Sequence, residues 1–249
     1  MSQIGKEADN QIAEGHAIPS SLWGDVIAAD EESIKLNLLE IQKQIAPCKP
    51  KIIGVTKYFG LDAMIRGYGA GLRDFGESRV TDAIKKIEAL PDEIRKNSKF
   101  HFIGHLQTNK VGKAVKYFDY IQSVDSLKLA EAISEVASNL GKREKILLQI
   151  NVSGEIQKFG YESEQLKIDM AEILNLKSVE VIGLMCMAPL GAAEAELRKI
   201  FHQLRKLRDD LEKQYNVKLP ELSMGMSDDY LIALQEGATM IRLGRKLFK

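Results

Sequence analysis

The sequence predicts an α/β chain folded as a single (β/α)8 TIM barrel with an extra N-terminal helix. Three observations carry this expectation. From residue 51 onward, eight short β-branched or apolar runs succeed one another, the number of strands that a closed parallel barrel of this kind needs. Stretches of helical period alternate with those runs, as parallel strands joined by crossover helices require. No repeat, low-complexity tract or composition break divides the chain, and its 249 residues, 45% of them hydrophobic, suffice for one large core. Residues 20–249 therefore read as one domain behind a polar lead, 1–19, that is expected to be disordered.

The elements follow in order. Leu22, Val26, Ile27, Ile34, Leu38, Leu39, Ile41 and Ile45 recur at helical spacing and predict a long amphipathic helix over 20–46, ahead of any strand. Pro47 and Pro50 mark the change of character after it. Strands are expected at 51–56, 72–75, 99–103, 120–122, 145–151, 179–184, 221–223 and 239–242. Helices are expected between them at 81–90, 109–117, 127–140, 164–174, 193–214 and 228–236. After the eighth strand only 243–249 remain, too few for a full closing helix, and the early helix is the candidate to cover that gap.

Composition narrows the function classes. Lys plus Arg number 35 and Asp plus Glu number 35, so no net field draws nucleic acid or an anionic membrane, and a small-molecule partner is favoured. No apolar stretch approaches the ~20 residues of a membrane span, and the N-terminus MSQIGKEADNQ lacks the apolar core of a signal peptide, which predicts a cytoplasmic protein. Cys48 and Cys186 read as reduced bystanders. His101 and His105 have i, i+4 spacing, but they straddle a strand end, where side chains alternate and the turn redirects the second. A zinc pair is not expected from them, since His16 lies in the lead and His202 on a helix.

In this architecture chemistry sits at the carboxyl ends of the strands. Lys57 directly follows the apolar run Ile52-Ile53-Gly54-Val55, which places its amine at the barrel mouth, where desolvation disfavours the ammonium form. A neutral amine there attacks an aldehyde, so Lys57 reads as a Schiff-base lysine; a snorkelling lysine or a phosphate clamp is the other reading. The loops after strands seven and eight are a frequent phosphate site of such barrels. Here they carry Gly225 and Ser227, then Gly244 and Arg245, residues equally at home in ordinary turns. Arg242 ends strand eight, where its guanidinium can only donate hydrogen bonds, to a ligand or to an ion-pair partner. Met224 and Met226 are expected to fill space around the site.

Five motifs together carry a resemblance: Val55-Thr56-Lys57, Phe75-Gly76-Glu77-Ser78, the run HFIGHLQTNK at 101–110, LSMGMSD at 222–228, and Ile241-Arg242-Leu243-Gly244. From Lys51 to the C-terminus the chain resembles the pyridoxal phosphate homeostasis protein family, also called the YggS/PROSC family. That family resembles in turn the barrel domain of alanine racemase, a fold type III pyridoxal phosphate protein, without its second, β-rich domain. The resemblance implies pyridoxal 5′-phosphate held as a Schiff base on Lys57, its phosphate on Met226-Ser227 and Gly244-Arg245, and Arg242 beside the pyridine nitrogen. Lys158, in Lys158-Phe159-Gly160, falls where the racemases carry an arginine near the ring hydroxyl. Ser78 replaces the asparagine usual in the family, and Met187 stands where the racemase has a ring-flanking histidine.

The expected function is vitamin B6 homeostasis without efficient catalysis, because racemisation needs a base on each face of the substrate carbon and only Lys57 is evident. A low-activity amino-acid racemase is the alternative, and a pure interaction protein a third. Expected partners are the cofactor and pyridoxal phosphate enzymes or regulatory proteins. The absent second domain implies a monomer.

Overall fold

The computed structural model describes residues 28–152 and 159–249. Eight strands run parallel in chain order and close into a barrel: β1 (Lys51–Val55), β2 (Asp74–Glu77), β3 (Lys99–Phe102), β4 (Tyr120–Val124), β5 (Glu144–Gln149), β6 (Val179–Met185), β7 (Glu221–Ser223) and β8 (Met240–Leu243). The seam joins first strand to last, with Ile52 opposite Ile241 and Ile53 opposite Arg242. Around the strands lie α1 (Glu31–Ile45), α2 (Leu61–Gly69), α3 (Val80–Ala89), α4 (Asp92–Asn97), α5 (Val111–Tyr117), α6 (Leu127–Asn139), α7 (Ser163–Asn175), α8 (Glu194–Tyr215), α9 (Tyr230–Gln235) and α10 (Arg245–Phe248). The fold is the barrel that the pattern predicts.

Several boundaries differ from expectation, and two of them have a clear physical reason. Among the described residues the first helix begins at Glu31, because the Asp30 carboxylate accepts the Ser33 N–H at 2.8 Å and Glu31 and Glu32 favour a helix start behind it. Residues 28–30 are therefore outside the helix expected over 20–46, while 1–27 lie outside the described residues. β2 starts at Asp74, two residues late, because Leu72 is spent on ending α2. Its N–H donates to the Gly67 carbonyl at 2.9 Å and that of Gly71, at φ +108°, to Tyr68 at 3.0 Å, a Schellman closure that needs glycine at its turning point.

α1 buries the stripe Ile34, Leu38, Ile41 and Ile45. It covers the place left by the short α10: the Ala29 N–H donates to the Phe248 carbonyl at 2.9 Å and Asn37 Nδ2 to that of Leu247 at 3.1 Å. Inside the barrel, period-two alternation sorts the side chains. Met240 packs with Ile53, Leu147, Ile182 and Met185 in a small inner core, whereas Ile241 and Leu243 join the larger layer beneath the helices.

One buried carboxyl makes the fold sensitive to pH. Glu144, at the start of β5, is fully buried, with Lys142 Nζ 2.6 Å away while that amine also donates to the carbonyls of Val115 and Phe118. Burial pushes the Glu144 carboxyl up to about 7, against the opposing pull of Lys142. The folded state thus holds a proton that the unfolded chain has released, so stability falls as pH rises from about 4.5 to 7. Glu144→Gln removes this slope, and the variant gains on the parent by on the order of 3 kcal/mol across that window in denaturant titrations. Parallel pH profiles for the two proteins would refute the assignment.

Candidate functional site

Ile53, Val55 and Lys57 share one face of the first strand and its continuation, so the alternation that points Ile53 into the barrel also brings Lys57 to the mouth. The chain turns immediately after, with the Phe59 N–H donating to the Thr56 carbonyl at 2.9 Å. Phe59 then packs on Phe248 with ring centroids 5.3 Å apart, which seats this turn on α10. Lys57 itself is half-buried, and its amine lies 5.0 Å from the centre of the Tyr58 ring.

The loops after β7 and β8 are tied to each other. The Arg242 N–H donates to the Gly225 carbonyl at 3.0 Å, the Lys246 N–H to Ser227 Oγ at 3.3 Å, and Arg245 Nη2 to Asp228 at 2.7 Å. Gly225 adopts φ +91°, and a Cβ there would meet the Ala233 Cβ at 2.7 Å, so only glycine lets this loop press against α9. Gly244 is different: its φ of −108° suits any residue, and its place follows from the cavity that it lines. The Met226 N–H donates to the buried Asp229 carboxylate, whose pKa is raised by burial while the Met226 hydrogen bond and Arg242 act to lower it.

Arg242 is 4% exposed and occupies the barrel interior. Its Nη1 donates to Ser223 Oγ and its Nη2 to the Cys186 carbonyl, each at 2.7 Å. Burial draws its pKa below the usual value, with Cys186 and Asp229 pulling the other way, and burial likewise pushes the Cys186 thiol up to about 12.

These pieces converge on one cavity of about 270 Å³ at the carboxyl ends of the strands. Lys57, Met226, Ser227, Arg242, Gly244 and Arg245, six of the seven site residues singled out from sequence, all line it. Lys158 lies outside the described residues. Val55, Tyr58, Phe59, Ile103, Met187 and Leu190 supply apolar walls, and Lys57, Arg242, Arg245 and Lys249 face it against the single acid Asp228. An anionic ligand of modest size fits such a lining. Ser78 is not among the lining residues, and its backbone packs on Gly104, where an added Cβ would come 2.2 Å from the Ser78 carbonyl oxygen. His105, on the rim beside a second, more open cleft, stacks on Phe159 with Asp125 3.5 Å away, while His101 is enclosed in the barrel.

Comparison with known proteins places the chain in a family. The family described as alanine racemase, N-terminal domain, matches residues 29–249. A pyridoxal phosphate homeostasis protein of Synechocystis is 42% identical over 202 residues, spanning 81% of this chain and 92% of the relative. This chain belongs to the pyridoxal phosphate homeostasis protein family. A second family member, from Aquifex aeolicus, is 41% identical over 198 residues, 80% of this chain and 86% of its own. The structure of PipY from Synechococcus elongatus, described with PLP bound, superposes with a TM-score of 0.79 at 38% identity, covering 87% of this chain and all of that one.

Sequence reasoning missed the residues that hold Lys57's strand in place in this family member. Lys86, from α3, is buried, and its Nζ donates to Glu77 Oε1 at 2.7 Å and to the Thr56 carbonyl at 2.9 Å. Thr56 Oγ1 donates to the same Glu77 oxygen at 2.7 Å. Burial raises the Glu77 pKa in spite of Lys86. The only available signal was an acid at the second strand end, in Phe75-Gly76-Glu77, because the lysine on an amphipathic helix reads as solvent-facing. Among the described residues no group of three or more His, Cys, Asp or Glu is arranged to hold a metal, and no helix is long and apolar enough to cross a membrane.

Proposed function

We propose that this chain binds pyridoxal 5′-phosphate in the mouth cavity, held as a Schiff base on Lys57, and serves homeostasis of that cofactor without efficient catalysis. One observation carries the reading: the strand-one lysine, the interior arginine and the loops after β7 and β8 line a single cation-rich cavity. The names of its relatives and the PLP-bound PipY structure support the identity of the ligand. The group when bound supplies an aldehyde, a phosphate and an aromatic ring. Lys57 offers the amine that condenses with the aldehyde and releases water. Met226-Ser227 and Gly244-Arg245 take the phosphate, with backbone N–H groups at the start of α10 and the Arg245 charge as donors. Lys158 is assigned to the ring hydroxyl by resemblance alone.

Arg242 is assigned to the pyridine nitrogen. A guanidinium only donates, so it holds that nitrogen unprotonated and makes the ring a weak electron sink. This favours a carrier that exchanges cofactor with pyridoxal phosphate enzymes or regulatory proteins, as a monomer in the cytoplasm. A slow amino-acid racemase is the second reading, and Tyr58, beside Lys57 in the same cavity, is the observation in its favour. Exchange of an amino acid's α-proton in deuterated water by the loaded protein would select the racemase. The primary test is borohydride reduction of protein loaded with pyridoxal phosphate, followed by peptide mass analysis. The label is expected on the peptide that contains Lys57, and a label confined to other peptides would overturn the proposal.

A further inference from the structure

A file of buried polar groups crosses the barrel from its mouth to the opposite end. Arg242 Nη1 lies 2.7 Å from Ser223 Oγ, Ser223 Oγ 2.7 Å from Gln122 Oε1, Gln122 Nε2 2.9 Å from His101 Nδ1, and His101 Nε2 2.9 Å from Asp74 Oδ1. These five residues come from β8, β7, β4, β3 and β2. Ser223, Gln122 and His101 are buried, so water cannot substitute for a missing partner, and each hydrogen bond restricts the next.

One set of directions satisfies every group in the file, and it is anchored at the Asp74 carboxylate, which only accepts. Arginine has no acceptor, so Ser223 Oγ accepts from Arg242, and the Ser223 hydroxyl donates in turn to Gln122 Oε1. The Gln122 amide thus presents its oxygen to Ser223 and its nitrogen to His101, where an amide nitrogen can only donate. His101 Nδ1 therefore carries no hydrogen, and the neutral ring donates from Nε2 to the Asp74 carboxylate. Burial acts in the same sense, lowering the His101 pKa against the influence of Asp74. The ring is clamped further by a stack on Tyr120, with centroids 4.3 Å apart and planes 3° from parallel. With Cys186 accepting from Nη2, the guanidinium is held on two sides, and its remaining donors are left for the cavity that it lines.

We propose that His101 and Gln122 are positioning residues of the cofactor site: through Ser223 they set the orientation of the Arg242 guanidinium toward its ligand from the far side of the barrel. The proposal rests on the reading of the cavity as the pyridoxal phosphate site. In the family motif His101-Phe102-Ile103-Gly104-His105, the first histidine thus acts inside the barrel.

The test uses His101→Phe and Gln122→Met, which break the file while keeping similar bulk, and His101→Gln, which restores one donor and one acceptor. Absorption of the bound pyridoxal phosphate and its affinity are measured with thermal midpoints alongside. Both breaking variants are expected to shift the visible band and to bind roughly tenfold more weakly, the lower end of what losing an outer-layer hydrogen bond costs at metal sites. His101→Gln is expected to return toward the parent spectrum. Parent-like spectrum and affinity in both breaking variants would overturn the positioning role. Should those variants not fold, 15N NMR of the parent's imidazoles decides: hydrogen on Nε2 alone of His101, with resonances that move in Arg242→Gln, supports the file. Hydrogen on Nδ1, or indifference to Arg242→Gln, sinks it. If the parent takes up no pyridoxal phosphate at all, the cavity's reading fails instead, and the NMR result separates that outcome from a broken file.

Discussion

Lys57→Ala abolishes borohydride-dependent labelling by pyridoxal phosphate, reducing covalent capture from one site to background, and leaves the fold intact. The expectation follows from position. The side chain is half-buried at the mouth, its amine lies over the face of Tyr58, and it joins neither the inner core nor a buried ion pair. Its removal therefore costs stability little, within about 1 kcal/mol, as for partly exposed substitutions generally. The cavity's other cations, Arg242 and Arg245 among them, remain to attract phosphate, so residual non-covalent uptake is compatible with the assignment. Undiminished trapping in Lys57→Ala, with circular dichroism unchanged, would show that another amine captures the aldehyde.

Lys86→Met has the largest expected effect on stability. Lys86 is 6% exposed and Glu77 1%, and the ammonium meets both the carboxylate and the Thr56 carbonyl. Removing one partner of a buried pair leaves the other charge in a medium that cannot solvate it, a loss of about 3–5 kcal/mol. For a chain of this size that lowers the thermal midpoint by roughly 10 °C. The deficit shrinks as pH falls, because the carboxyl already titrates upward through burial and a neutral Glu77 is cheaper to hold without its partner. Adding Glu77→Gln to Lys86→Met recovers at least half of the loss, since glutamine still accepts from Thr56 and brings no charge. A single variant as stable as the parent would mean that the pair contributes nothing, and that β1 is held at Thr56 by strand pairing alone.

The contrast between these two lysines explains how much of the site could be read from sequence. Lys57 was visible because it follows an apolar strand, and the strand-end rule of parallel barrels assigns such a residue to the mouth. Gly244, Arg245 and Ser227 were found by the same rule and Met226 by the family resemblance, and all line the cavity with Lys57. Lys86 was hidden because its helix has the ordinary amphipathic pattern, and nothing local says that one polar position turns inward. Gln122, Ser223 and Asp74 were hidden for a related reason: barrel strands buried on both faces read as short apolar runs, and polar residues at their edges resemble turn formers. α2 was missed because Gly67 and Gly69 lie within it, and glycine is a poor helix former. Tertiary packing decides there, since a Cβ on Gly67 would come 3.1 Å from the Phe75 ring and 3.2 Å from Leu72.

The seam between β1 and β8 carries a consequence for synthesis. Lys57 leaves the ribosome early, but Arg242 arrives only with the seventh further strand, and Gly244 and Arg245 after it. A nascent chain therefore displays the reactive amine without the groups that would retain an aldehyde, and capture begins when ring closure joins the two ends of the sheet. In refolding experiments, the visible band of the vitamin is expected to grow in step with that last pairing and not with the earlier appearance of helices.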